Sequence, residues 1–377
     1  MKAVVLGAGR VGGAMALDLA REGEFQVTVV DRSKESLARL SAGTIQTVTA
    51  DLSDVAAVKK LVAGHDLVVG AVPGAMGYSV VRAALEAGKP VVDISFFPED
   101  PYELDSLARK QGVSCIVDFG IAPGCSTLFF GRLRTQWRRI HSYLCYVGGL
   151  PVERRWPWQY KAPFSPCDVI ELYTRPARYV AGGVQVVRPA LTEPELLDFP
   201  GLGTLEAFVT DGLRTLLRIK DVAHMAEKTL RYPGHRELML AVRETGFLGE
   251  DPVALPDGSQ VRPRELAEAL LFPAWHQGPD DEDITVMRII ATGEDQQGKA
   301  VRAQWDLFDR YDTHTRTTSM ARTTGYTCTA GVRLLARDLW REPGVAPAEE
   351  VGTNDACHDF VLSELKQRGV VFQEQRS

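Results

Sequence analysis

The sequence predicts an α/β protein: a doubly wound parallel sheet, then an α+β domain, then C-terminal helices that return to the first domain. Three observations carry this. Short, nearly continuous apolar runs alternate with helical patterns as far as Asp118, as strands buried on both faces require. The first strand leads into a glycine-rich turn that opens a helix. Beyond Ile121 the strand-like runs lengthen and alternate apolar with polar residues, the pattern of a mixed or antiparallel sheet with one covered face.

The elements follow in order. Lys2–Leu6 is a strand, Gly7-Ala-Gly9-Arg10-Val11-Gly12 a tight turn, and a helix and a second strand run from there to Asp31. Ile45–Thr49 reads as the third strand, with Asp51 at its end and Ser53 as N-cap of a helix over 55–62. Residues 66–72, 90–94 and 114–118 supply strands four to six. Pro123-Gly124 then breaks the chain, and 126–133 is helical. Alternating runs at 142–147, 184–187, 206–210, 228–232, 284–290 and 300–307 make the second sheet. The proline-rich and aromatic stretch Pro151 to Pro166 reads as a loop over a cleft. Residues 324–340 and 355–368 are the closing helices, with Leu334, Leu335 and Leu339 on an apolar face. At 377 residues the chain is too long for one core. The expected domains are 1–122 and 123–323, with 324–377 packing on the first.

A strand, a GxGxxG turn, a helix and a second strand with an acid at its tip form a dinucleotide-binding unit of the Rossmann type. Gly7 permits the sharp turn, Gly9 lets the backbone approach a pyrophosphate, and Gly12 lets the helix sit close on the strand. Arg10 and Val11 open the helix, whose positive end faces the phosphates. Asp31 would accept hydrogen bonds from the adenosine ribose and repel a 2′-phosphate, so NAD is expected over NADP. The neighbouring Arg32 and Ser33 are residues that could serve a phosphate. Ligands of such sheets lie outside the carboxyl ends of the strands. Asp51, Val72, Pro73, Asp93 and Ser95 are therefore expected in the same crevice.

Composition narrows the function. A net charge of −6 argues against a broad nucleic-acid footprint. No apolar run is long enough for a membrane span. The six cysteines and seven histidines are scattered without zinc-site spacing, so no metal is expected. The acidic run Asp280–Asp283 lacks the spacing of a calcium loop. The chain enters directly into a strand, with no signal peptide, and reads as reduced and cytoplasmic.

Several stretches of the second half are more specific than the glycine turn. Asp118-Phe-Gly-Ile-Ala-Pro-Gly124, Tyr146-Val-Gly-Gly-Leu-Pro151, Leu205-Glu-Ala-Phe-Val-Thr-Asp-Gly-Leu-Arg214, Lys228-Thr-Leu-Arg-Tyr-Pro-Gly-His235 and Ser319-Met-Ala-Arg-Thr-Thr-Gly325 resemble the saccharopine dehydrogenase-like family, and within it most of all its L-lysine 6-dehydrogenase members. The resemblance runs from the glycine turn to Arg368-Gly369. It implies a Rossmann domain joined to a catalytic α+β domain that also forms a homodimer contact. It implies NAD-dependent oxidation of the ε-amine of L-lysine to 2-aminoadipate 6-semialdehyde, which cyclises to a piperideine carboxylate. Family members that make or cleave secondary amines, such as saccharopine- and carboxyspermidine-type dehydrogenases using NAD(P), share the same motifs. The run Leu205–Leu213 together with Tyr232-Pro-Gly-His235 favours lysine. Trp156-Pro-Trp-Gln-Tyr-Lys-Ala-Pro163 departs from the family pattern. A non-catalytic nucleotide sensor is the alternative from another class.

Oxidising an amine requires a free nitrogen lone pair, and therefore a base or a dry pocket. An amino-acid substrate further needs fixed charges for its carboxylate and ammonium. Asp118, ending the sixth strand, is the candidate to hold or deprotonate the amine; its plainer role is a turn cap. His235 is the candidate proton relay, or a structural turn residue. Arg231 offers a fork for a carboxylate, or a salt bridge across the sheet. Arg322 would contact cofactor or carboxylate, or merely cap the returning helix. Asp211 would hold the α-ammonium, or simply make a turn. Lys161 on the cleft loop is a lesser carboxylate partner.

Overall fold

The computed structural model describes residues 1–21, 23–40, 43–278 and 280–377. The chain runs through β1 (Lys2–Leu6), α1 (Arg10–Ala20), β2 (Gln26–Asp31), α2 (Lys34–Ala38), β3 (Gln46–Thr49), α3 (Val55–Ala63), β4 (Leu67–Gly70), α4 (Gly74–Glu86), β5 (Val91–Asp93), α5 (Asp105–Gln111), β6 (Ser114–Val117) and α6 (Cys125–Gln136). It continues with β7 (Arg139–Pro151), α7 (Pro166–Thr174), β8 (Ala177–Ala181), β9 (Val184–Arg188), β10 (Glu195–Phe199), β11 (Gly203–Thr210), β12 (His224–Arg231), α8 (His235–Glu244), β13 (Val253–Ala254), β14 (Gln260–Val261), α9 (Pro263–Ala274), β15 (Asp283–Glu294) and β16 (Ala300–Arg310). The last elements are α10 (Ser319–Ala336), β17 (Gly344–Pro347), α11 (Ala348–Val351), α12 (Asp355–Gln367) and β18 (Phe372–Arg376).

Two compact units result. The first comprises 1–140, 293–301 and 320–371. Its sheet is parallel, in the order β17-β6-β5-β4-β1-β2-β3. Val4, Leu6, Val30 and Val68 of the strands and Val80, Val81 and Leu85 of α4 bury together in its core. This is the doubly wound arrangement the apolar runs predict, with one strand more. That strand, β17, comes from far along the chain and pairs with β6 from Gly344↔Ser114 to Pro347↔Val117.

The expected boundary at residue 122 gives way to one at 140, because α6 belongs with the first unit. It packs so closely on α11 that a side chain at Gly131 would meet the Glu349 carbonyl at 2.1 Å. The returning helix begins at Ser319, ahead of the expected Thr324, because the Asp283 carboxylate accepts the Ser319 N–H (2.6 Å). Asp54, not Ser53, caps α3, taking the N–H groups of Ala56 and Ala57.

The second unit comprises 141–292, 302–319 and 372–377. The second sheet is mixed: β10-β11-β12-β7-β15-β16-β18, with β8 and β9 branching from β12. β11 and β12 are antiparallel, with Glu206 opposite Arg231, whereas β12 runs parallel to β7. One core here gathers Tyr160, Val169, Ile170, Tyr173, Phe208, Met239, Leu271 and Trp275 beneath α7, α8 and α9. Among the described residues no helix is long and apolar enough to cross a membrane, and no cluster of His, Cys, Asp and Glu could hold a metal.

Candidate active site

The glycine turn at the tip of β1 is built from three glycines doing three different things. Gly7 adopts a φ of +116°, and a Cβ there would lie 2.4 Å from the Ala71 carbonyl oxygen. Gly12 sits so close beneath the turn that its Cβ would fall 2.1 Å from Gly7 O. Gly9 differs: its φ of −63° suits any residue, and a Cβ there would meet nothing within 4 Å. The protein therefore imposes glycine at positions 7 and 12, while at position 9 it leaves a space. Gly9 is also the N-cap of α1 and provides no side-chain cap, so the helix start is left to bind an anion. The residues fit a dinucleotide pyrophosphate.

Asp31 closes the crevice at the end of β2. Its Oδ2 accepts the Ala8 N–H (2.7 Å) and its Oδ1 the Ser33 N–H (2.8 Å). Those bonds fix the carboxylate against the glycine turn and leave lone pairs on both oxygens. Arg32 is exposed beside it. Asp51 is exposed too; the N–H and hydroxyl of Ser53 and the nearby Arg32 charge hold its carboxyl below the usual range. Val72 is buried, and Pro73 leads into α4. Arg10 and Val11 are half-buried in the first turn of α1.

Asp93 and Ser95 lie at the end of β5, expected in the same crevice. Both are buried, Asp93 accepts from the Ser95 N–H and hydroxyl (2.8 and 2.6 Å), and a side chain on Gly70 would overlap the Asp93 carboxylate. Asp118 follows β6 in the left-handed region (φ +53°) and is 4% exposed, a backbone conformation that aspartate tolerates better than most residues.

In the second unit, Arg231 and His235 meet in a buried aromatic cluster. Arg231 Nε donates to the Tyr173 hydroxyl (3.0 Å), which donates in turn to His235 Nε2 (2.9 Å). His235 Nδ1 then donates to the Trp158 carbonyl (2.8 Å). The chain of donors fixes the tautomer: a backbone carbonyl can only accept, so the proton is on Nδ1. Burial, with the Arg231 charge beside it, drives His235 down to about 3. The expectation of a proton relay at His235 is thereby corrected. Its lone pair is held by Tyr173, its proton by a carbonyl, and it opens α8 rather than ending a turn. The Tyr160 ring packs tilted against it (4.8 Å between centroids) and lies under the Arg231 guanidinium (4.6 Å).

Arg231 also donates to Leu230 O (2.9 Å). Among the described residues it has no carboxylate partner, so the alternative of a salt bridge across the sheet fails. A buried guanidinium facing only tyrosines is a strong attractor for an anion.

Asp211 is corrected as well: Arg178 grips it with Nε and Nη2 (2.7 and 2.8 Å), leaving its charge already matched. Lys161 is bound to Asp281 (3.3 Å) and the His276 carbonyl (2.6 Å). Arg322 lies within the first turn of α10, where its Nη2 donates to Arg368 O (3.0 Å). Tyr160 lies in the stretch expected over a cleft, whereas Tyr173 and Trp275 were not anticipated; nothing in a lone aromatic separates a site wall from a core.

Residues 3–116 match the family model described as the saccharopine dehydrogenase NADP binding domain, and residues 120–370 that of the saccharopine dehydrogenase C-terminal domain. The chain belongs to the saccharopine dehydrogenase family. A saccharopine dehydrogenase (NADP(+), L-glutamate-forming) of Pyricularia oryzae is 28% identical over 249 residues, 62% of this chain and 55% of that one. Its Saccharomyces cerevisiae counterpart is 28% identical over 268 residues, 66% of this chain and 58% of the other. The chain thus spans little more than half the length of these relatives. The mouse mitochondrial alpha-aminoadipic semialdehyde synthase is 25% identical over 286 residues, 70% of this chain and 30% of its own.

Two solved structures share the fold. The apo saccharopine dehydrogenase (L-Glu forming) from Saccharomyces cerevisiae superposes with a TM-score of 0.80 at 19% identity, covering 100% of this chain and 99% of that one. A homospermidine synthase from Legionella pneumophila, in complex with NAD, gives 0.64 at 12% identity, covering 100% and 91%.

Proposed function

We propose that this member of the saccharopine dehydrogenase family is a dehydrogenase that uses NAD to oxidise L-lysine at its ε-carbon. The observation that carries the substrate half is the pairing of β11 with β12. The two runs that favour lysine lie side by side there, with Glu206 opposite Arg231, and the second of them supplies the guanidinium that meets no carboxylate among the described residues. The coenzyme half is supported by Asp31 at the end of β2, whose charge would repel a 2′-phosphate.

The chemistry divides simply. When bound, the nicotinamide ring accepts the hydride. Gly7 to Gly12 and the start of α1 hold the pyrophosphate, and Asp31 holds the ribose. Arg231 takes the α-carboxylate through its planar fork. A base must remove a proton from the ε-nitrogen to free its lone pair, and Asp118 is the first unit's candidate for that role. Water then adds to the resulting imine, ammonium leaves, and the semialdehyde cyclises. His235, neutral throughout the physiological range, orients Tyr173 and hence Arg231.

A second reading has its own support: the Pyricularia and Saccharomyces relatives are named as NADP-dependent saccharopine dehydrogenases. On that reading the same site oxidises the secondary amine of saccharopine. Incubation with L-lysine or saccharopine, each with NAD or NADP, followed by absorbance of the reduced coenzyme, separates the two. Reduction of NAD with lysine supports the first reading, and reduction with saccharopine alone transfers the assignment to the second. No reduction with either refutes an amine dehydrogenase of this kind. We also propose a homodimer; a monomer by light scattering would refute it.

A further inference from the structure

The helix that opens at the glycine turn carries a buried acid near its other end. Asp18 of α1 is 1% exposed. Its Oδ2 accepts from Arg333 Nη1 (2.8 Å) and the Thr329 hydroxyl (2.6 Å), and its Oδ1 from Arg368 Nε (2.6 Å). Arg333 Nη2 also donates to the Asp18 carbonyl (3.2 Å). The network continues outward: Arg333 Nε reaches Glu24 (3.0 Å), and Arg368 Nη1 reaches Glu364 (2.9 Å). Burial alone would raise the Asp18 carboxyl, but the Arg333 and Arg368 guanidiniums more than offset this and keep it charged.

Such a network is a poor source of stability. Removing charges from water is costly, and apolar residues of equal volume often do as well. What it provides is direction. Three donors converging on one carboxylate allow a single position of α1 against α10 and α12, where an apolar seam would tolerate sliding. A second contact acts at the other end of α1. A Cβ on Gly325 of α10 would lie 3.1 Å from Met15 Cγ and 3.5 Å from the Val11 carbonyl. α10 therefore touches α1 at its opening turn, while the ion network grips it about 10 Å further along the axis.

We propose that Asp18, Arg333, Arg368 and Gly325 are positioning residues for the coenzyme, holding the N–H groups at the start of α1 where the pyrophosphate must bind. A helix is stiff over this length, so a tilt at Asp18 is delivered to Gly9–Gly12. By linkage, coenzyme binding must tighten the same clamp. The proposal rests on the coenzyme reading above.

The test is calorimetric titration of the full-length protein with NAD and with ADP-ribose, which has the pyrophosphate without the nicotinamide, beside thermal melting of the apoprotein. Asp18→Asn and Gly325→Ala should each weaken both ligands about tenfold, and NAD should raise their Tm less than it raises that of the wild type. If Asp18→Asn does not fold, Gly325→Ala decides alone, since it leaves every charge in place. A lowered Tm with both affinities within twofold of wild type would mean a merely structural role and overturn the proposal. A wild type that binds neither ligand would overturn the coenzyme reading along with it.

Discussion

Gly9→Ala should leave the fold intact and remove the coenzyme. The Gly9 backbone (φ −63°, ψ −176°) is open to alanine, and its Cβ would meet nothing within 4 Å. Replacing glycine at a compatible position stabilises by about 0.4–1 kcal/mol, through the unfolded chain. For a unit of this size that is a rise in Tm of about 1–4 °C. A bound pyrophosphate, however, must come against this backbone. A methyl group there forfeits one or two charge-assisted hydrogen bonds worth about 1.5–3 kcal/mol each, so NAD affinity should fall at least about tenfold.

Gly12→Ala is the control. Its Cβ would lie 2.1 Å from Gly7 O, where ordinary contact begins at 3.4 Å, so turn or helix must move by about 1.3 Å. Overpacking of that kind costs about 1–3 kcal/mol, and both stability and affinity should fall. Calorimetric titration and thermal melts of the two variants give the answer. Gly9→Ala with a depressed Tm, or with wild-type affinity, would refute the reasoning.

Asp31→Ser should weaken NAD and shift preference toward NADP, with Arg32 available for the added phosphate; an unchanged ratio of affinities would show that Asp31 does not meet the ribose. Asp118→Asn should lower kcat more than about tenfold with little change in Tm; the reverse pattern would make it a turn cap. Arg231→Met removes a buried cation that has no carboxylate partner among the described residues, so Tm should stay at or above wild type while KM for the amine rises at least tenfold; a falling Tm with unchanged KM would contradict the assignment. His235 binds its proton near pH 3 in the folded state, far below its ordinary value. Its contribution is therefore complete above about pH 6.5 and is lost as pH falls toward 3, by up to about 5 kcal/mol. His235→Gln should flatten Tm against pH between 7 and 4, and a slope equal to wild type would sink that account.

The coenzyme half of the site was legible because its determinants are local. The turn, the helix start and the acid on the next strand all lie within one βαβ unit. The positions of Asp93 and Ser95 were legible, but not their orientation, since only packing on Gly70 turns the carboxylate inward. Long-range partners were beyond reach. Asp211 looks like any turn aspartate until Arg178 is found gripping it, and Asp18 looks like the polar face of an amphipathic helix until Arg333 and Arg368 arrive from the far end of the chain. β17 escaped notice because Gly344 and Pro347 bracket a run too short to read as a strand, and only its pairing with β6 makes it one. For His235 the turn after Pro-Gly was legible, but not the burial that Tyr173 and Trp275 give it.

The central claim is that a nicotinamide dinucleotide lies across the glycine turn of the first unit. Calorimetric titration of the wild-type protein with NAD tests it most directly. Saturable binding at one site per chain, tighter for NAD than for NADP, is the predicted result; the absence of any binding heat with either coenzyme would contradict it.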